Sequence, residues 1–281
     1  MSNMYVRHPW NTGFTWPDHT GPFHTVTDEQ ARSYDTAGYF VVPDAFDAAT
    51  TASVADALAP FDREVVDFLR TRPDGRFSIA GVDTVSITLH PSLRSAVLRD
   101  FCAAPLFADL CRDLVGPDAR LYWDQSVFKK SRSAEPVLWH QDNGYTYVEP
   151  QAYLTCWVAL TDATLDNGCV WVLPGGHRVG TLAHRDTPIG FECFSDEEAK
   201  AAGAVPVPVS AGSVVVFSSL TPHATGYNRT DEERKAYILQ YAPDGAVAHR
   251  GDPTGPPGPP EAQNDPKRQF LVARGGEPVE Q

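Results

Sequence analysis

Residues 137–147 read VLWHQDNGYTY and set a histidine and an aspartate two positions apart inside an apolar and aromatic run. Burying such groups without partners is costly, so the pair needs a reason. Side chains of an extended segment alternate between faces, which sends His140 and Asp142 to one side and Gln141 to the other. A neutral imidazole nitrogen and a carboxylate oxygen converging in this way make two thirds of a 2-His-1-carboxylate facial triad, the ligand set of open-sided non-haem iron sites. An H-x-D alone is common, and a surface histidine beside a surface aspartate reads equally well until a second histidine is found.

Two downstream histidines compete for that place: His177 in LPGGHRVG and His223 in SSLTPHATGYNRT. In a jelly roll the third ligand arrives only after several intervening strands. With strands of about 5–6 residues plus loops, the interval to His177 is too short and that to His223 is ample. GSVVVFSS would also deliver His223 from a rigid strand. His177 is expected to be structural, bonding its own turn. Arg234 opens the run KAYILQYAP. Its guanidinium is either turned into a β-core, where it requires an anion, or one more solvated charge of TDEERKA; spacing alone leaves both readings open.

From about residue 118 the chain alternates β-branched and aromatic runs (ARLYWDQSVFKK, AYLTCWVAL, CVWVLPG, GSVVVFSS, KAYILQYAP) with turn residues, an all-β texture. The DNG at residues 166–168 is a hairpin-type signal. Upstream, Thr27 followed by Gln30 forms a capping-box pattern that predicts a helix from Thr27 to near Gly38, with YFVVPD continuing as a strand. DAATTASVADALAPFDREVVDFL and SLRSAVLRDFCAAPLFADLCRDLVG carry helical spacing. The expected plan is one domain, mainly β with peripheral helices: an irregular arm (1–26), a mostly helical flank (27–118), a core (119–243) with a candidate lid (178–205) holding one short helix, and a Pro/Gly-rich tail (244–281) whose RQFLVARGG adds an edge strand.

Composition narrows the function classes. At 281 residues and 42% hydrophobic content the chain can bury a full core. A net charge of −13 argues against nucleic acid as a partner, and no basic run suggests a membrane surface. The start MSNMYVRHPWNTGF lacks the pattern of a signal peptide, so a cytoplasmic location is expected. Five cysteines, odd in number and never in a C-x-x-C pair, are expected to be reduced packing residues. The expected partner is a small-molecule substrate, and the expected state a monomer or weak homo-oligomer.

The order DEQARSYDTAGYFVV, WHQD, TCWVALTDATLDNGCVWVLPGGH and PHATGYNRTDEERKAYILQY resembles the phytanoyl-CoA dioxygenase family of Fe(II)/2-oxoglutarate-dependent oxygenases, from about residue 27 to 243. The resemblance implies a double-stranded β-helix, a jelly-roll, cupin-like core, that holds Fe(II) with His140, Asp142 and His223. Arg234 would bind the distal carboxylate of 2-oxoglutarate, helped by the Thr225 hydroxyl, with Lys129, Gln141 and Trp157 near the cosubstrate. Where the family often has Pro after the lysine this chain has KKSR, and PGGH replaces the commoner PGSH. The implied reaction couples decarboxylation of 2-oxoglutarate by O2 to hydroxylation of a substrate C–H bond. Tyr145, Phe128, Phe191 and Phe194 are the aromatic candidates for a substrate pocket. Few lysines, with abundant Ala, Pro and Gly, suggest a GC-rich bacterial genome, in which such enzymes often tailor specialised metabolites. Desaturation, epoxidation, ring formation and, less readily, halogenation are the alternative outcomes; a non-catalytic metal-binding jelly roll is the alternative outside enzymes.

Overall fold

Thr27 starts the regular structure by the expected device. Its hydroxyl accepts the Gln30 N–H at 3.2 Å while the Gln30 side chain accepts the Thr27 N–H at 2.9 Å, and helix α1 (Asp28–Ala37) follows. Gly38 ends it at φ 88°, where a Cβ would lie 2.6 Å from both the His177 ring and the Thr221 hydroxyl. Strand β1 (Tyr39–Val42) leads to helix α2 (Ala48–Arg70), capped by Asp47. The flank is less helical than expected. A small hairpin (Arg76–Phe77 and Ala80–Gly81) and strand β2 (Val85–Leu89) occupy its middle. The second expected helix is divided into α3 (Ala96–Cys102) and α4 (Pro105–Leu114), because Pro105 lacks an N–H and holds Ala104 in an extended conformation.

The computed structural model describes residues 4–281. Its core strands are β3 (Ala119–Lys129), β4 (Val137–His140), β5 (Leu154–Ala159), β6 (Val170–Val172), then helix α5 (Asp196–Ala201), β7 (Val205–Val207), β8 (Val214–Ser218), β9 (His223–Thr225), β10 (Arg234–Pro243) and β11 (Leu271–Arg274). The larger sheet runs β1-β8-β5-β10-β3-β2 and continues into the small hairpin, with β11 beside the start of β3; the smaller runs β7-β6-β9-β4. All these pairings are antiparallel. The DNG turn is not a hairpin. Strand β5 pairs with β8 and β10 while β6 pairs with β7 and β9, so the connection through Gly168 (φ 86°) carries the chain from one sheet to the other.

Two apolar layers hold the molecule together. Between the sheets lie Val85, Val127, Trp157, Ala159, Val170, Val172, Phe217, Ala236 and Ile238. Between the larger sheet and the helices lie Leu58, Leu98, Phe101, Phe107, Phe128, Cys156, Tyr237 and Tyr241. Every residue of β5 is buried because both its faces are covered.

The arm is irregular but anchored: Arg7 bridges Leu182, the His8 N–H donates to the Thr181 carbonyl at 2.9 Å, and the Ala183 N–H donates to the Val6 carbonyl at 2.7 Å. The candidate lid carries a hairpin (Arg185–Thr187 and Gly190–Glu192) besides the short helix α5. In the tail, β11 adds the expected edge strand, and Val247–His249 with Glu261–Ala262 forms a further small pairing. Four of the five cysteines are buried thiols, and no helix among the described residues is long and apolar enough to cross a membrane.

Candidate active site

Antiparallel pairing of β9 with β4 sets His223 opposite His140. The register then slips, so that Val137 rather than Leu138 faces Thr225, a bulge beside the candidate metal ligands. Asp142 opens the turn that follows β4. The three side chains offer ligand atoms that all lie within 4.8 Å of one another. The His140 Nδ1–H donates to the Leu138 carbonyl at 2.7 Å and the His223 Nδ1–H to the Thr221 carbonyl at 3.0 Å. Carbonyls only accept, so both rings are fixed with Nε2 unprotonated and available to a metal. Burial, aided by His223, lowers the His140 pKa to about 3, and burial lowers that of His223 to about 4. Burial pushes the Asp142 carboxyl up. A buried carboxylate facing two neutral imidazoles lacks a countercharge, which a divalent cation supplies.

Two residues that sequence reasoning missed stand behind Asp142. Its Oδ2 accepts from the Thr155 hydroxyl at 2.5 Å, and the Gln240 amide lies beside it. Thr155 and Gln240 are cross-strand partners on β5 and β10. The Thr155 bond occupies Oδ2, and Oδ1 faces His223 Nε2 at 3.8 Å. A third missed residue, His184, accepts the Gln141 N–H at Nε2 (3.0 Å) and donates from Nδ1 to the Leu182 carbonyl at 2.9 Å.

Arg234 begins β10 opposite Lys129 on β3. It is fully buried, so the reading of a solvated charge is excluded. One nitrogen donates to the Val127 carbonyl at 3.3 Å, while Nε and Nη2 have no hydrogen-bond partner among the described residues. The Thr225 hydroxyl is buried and without a partner there too. Trp157 presents its ring 5.1 Å from the guanidinium. Lys129 directs Nζ to the carbonyls of Gly226 (2.6 Å) and Glu135 (3.0 Å), and burial, reinforced by Arg234, lowers its pKa well below the usual lysine range. Burial lowers Arg234 to about 10. Two orphaned guanidinium nitrogens in a dry site are strongly unfavourable, and a carboxylate is the group whose geometry they match.

Other expectations move. Gln141 does not face this space: its amide donates to the carbonyls of Gly180 and Leu220 and accepts the Leu182 N–H, in agreement with alternation and against its carried-over place near the cosubstrate. Phe128 lies in the layer between sheet and helices, one residue out of phase with Lys129, and Phe194 packs on Trp139 behind the smaller sheet, so neither reaches the site. Tyr145 does: its ring, about half exposed, meets His140 edge-on at 5.3 Å, and Phe191 lies 5.4 Å beyond it. His177 is structural, but it donates to the Asp35 carbonyl of α1 at 3.1 Å rather than to its own turn, and packs edge-on against Trp16.

Residues 34–236 match the family described as phytanoyl-CoA dioxygenase. The chain belongs to the phytanoyl-CoA dioxygenase family. Among curated relatives, phytanoyl-CoA dioxygenase domain-containing protein 1 of Mus musculus is 27% identical over 77% of this chain and 72% of its own. Methylphosphonate hydroxylase of Gimesia maris is 26% identical over 77% and 81%. A phytanoyl-CoA dioxygenase of Arabidopsis thaliana, 30% identical, aligns over half of each chain. The epimerase SnoN, solved with Fe3+, alpha-ketoglutarate and nogalamycin RO, shares the fold at TM-score 0.68 with 24% identity over 87% of this chain and 98% of its own. EctD from S. alaskensis, solved with 2-oxoglutarate and 5-hydroxyectoine, does so at 0.64 with 23% identity over 94% and 90%. As a phytanoyl-CoA dioxygenase family member with a His-Asp-His site, the protein is an iron- and 2-oxoglutarate-dependent oxygenase.

Proposed function

We propose that this oxygenase hydroxylates an unactivated C–H bond of a small molecule, a bacterial specialised metabolite or its precursor, with His140, Asp142 and His223 holding Fe(II) and Arg234 anchoring 2-oxoglutarate. The observation that carries the reading is the buried Arg234 fork, with two nitrogens lacking partners, beside the equally unpartnered Thr225 hydroxyl. A bidentate bond from Arg234 to the distal carboxylate, a hydrogen bond from Thr225 and the face of Trp157 would fix the cosubstrate, while Lys129 braces the Gly226 backbone next to Thr225. Bound iron supplies the redox chemistry that couples decarboxylation of 2-oxoglutarate, through O2, to substrate oxidation. His140, Asp142 and His223 would hold the metal from one side only, which would leave it accessible to the 2-oxo acid and to O2. Tyr145 and Phe191, which touch each other beside His140, would position the substrate and exclude water.

Methylphosphonate hydroxylase and the EctD structure with 5-hydroxyectoine support hydroxylation, and SnoN supports a role with specialised metabolites. A second reading has its own support: SnoN is an epimerase and SnoK, a further fold relative at TM-score 0.65, a carbocyclase. Halogenation is disfavoured by Asp142, whose carboxylate would be a metal ligand where halide binding calls for a small side chain.

Anaerobic titration tests the assignment. His140→Ala and His223→Ala are expected to abolish Fe(II) binding, whereas His177→Ala retains it. Loss of a charged hydrogen-bond partner is worth about 1.5–3 kcal/mol, so at about 1.4 kcal/mol per tenfold Arg234→Ala weakens 2-oxoglutarate roughly ten- to a hundred-fold and leaves iron bound; Arg234→Lys falls between. Unchanged 2-oxoglutarate affinity in Arg234→Ala overturns the cosubstrate assignment. A product heavier by one oxygen atom derived from O2 distinguishes hydroxylation from epimerisation or ring closure.

A further inference from the structure

His184 is built like the two histidine ligands, and its lone pair goes elsewhere. All three rings donate Nδ1–H to the carbonyl two residues back. In His140 and His223 this frees Nε2 toward the metal. In His184 it turns Nε2 onto the N–H of Gln141, the residue between His140 and Asp142. The turn carrying Asp142 rests on the same ring: a Cβ at Gly144 would lie 2.1–2.5 Å from three His184 ring atoms, so only glycine lets the turn settle there. Two further Gln141 bonds, to Gly180 and Leu182, tie this turn to the 180–184 segment. The ring then stacks on Phe191 at 4.9 Å with a 16° interplanar angle, Phe191 meets Tyr145, and Tyr145 meets His140. The contacts run in a chain from the Gln141 N–H to the ring of the neighbouring His140.

We infer that His184 is a positioning residue for the metal centre: by accepting the Gln141 N–H and supporting Gly144 it sets the backbone from which His140 and Asp142 point. The inference rests on the metal assignment to His140, Asp142 and His223. It is specific about chemistry, since the acceptor lone pair matters and bulk alone does not suffice. Outer partners that orient ligands typically change metal affinity about 10–100-fold when lost.

The test is Fe(II) affinity under argon for the wild type and three variants, together with the melting temperature of each metal-free protein. His184→Phe keeps a ring against Phe191 and removes the acceptor; His184→Gln keeps an acceptor and a donor and removes the ring; His184→Leu removes both. The expected result is Fe(II) affinity lowered about 10–100-fold in His184→Phe and restored to within about threefold of wild type in His184→Gln, without a matching order in metal-free melting temperature. Wild-type affinity in a folded His184→Phe, or His184→Gln as weak as His184→Phe, overturns the inference and reduces His184 to packing. Should His184→Phe fail to fold, His184→Gln must bind Fe(II) at least tenfold more tightly than His184→Leu, and equal affinities count against the claim. A wild-type protein that binds no Fe(II) rejects the metal assignment itself, and the role of His184 falls with it; wild-type binding with unaffected variants rejects the role alone.

Discussion

A single side chain shows how little of a residue's role lies in its own letters. Arg234 sits in TDEERKA, where local composition suggests solvent; its burial follows from pairing with Lys129 and from facing the smaller sheet, neither of which is written locally. His140 and Asp142 were legible because alternation is a local rule, and the same rule turned Gln141 away. Thr155, Gln240 and His184 were not, since each reaches the site from a distant element through cross-strand or segment contacts. His177 gives a titration to measure. Burial lowers its pKa from 6.5 to about 4, so below pH 6.5 the unfolded chain takes up a proton that the native state resists. The stability His177 contributes is complete above pH 6.5 and declines as pH falls toward 4. Compared with His177→Gln, the metal-free wild type is expected to lose stability more steeply across that window, by up to about 1.4 kcal/mol per pH unit, as read from urea midpoints. Parallel profiles would show that His177 does not titrate this way.

At the scale of elements, the end signals of α1 were read to the residue, whereas the local break at Pro105 and the non-local pairings were not. The Thr27 capping box and the Gly38 stop are contained within one helix and its ends. The DNG of residues 166–168 says that the chain turns, and is silent on which sheet receives it. VSITL joins the larger sheet only because β3 lies beside it. The arm and the 178–205 segment form another such relation: Val6, Arg7 and His8 pair with Thr181, Leu182 and Ala183, directly before His184. Removing residues 1–10 strips these partners. Limited proteolysis is then expected to cut within residues 181–195 faster than in the intact chain, and Fe(II) affinity to fall in parallel; an unchanged cleavage rate would show that the arm does not restrain the segment.

For the whole molecule, fold class was legible because a β-rich texture following amphipathic helices has few ways to bury itself, whereas strand order was not, since β1 and β2 from the helical flank border the larger sheet's core strands. The two sheets also divide the chemistry. His140 and His223 belong to the smaller sheet, with Asp142 just beyond β4, while Thr155, Gln240 and Arg234 belong to the larger. Iron and 2-oxoglutarate would therefore act as rivets through a seam, restraining one sheet from sliding over the other. Amide hydrogen exchange reports such slippage. Loading both ligands should slow exchange in β4, an edge strand of the smaller sheet, much more than in β8, which has strands of its own sheet on either side, and Arg234→Ala should forfeit the part of that slowing that depends on 2-oxoglutarate.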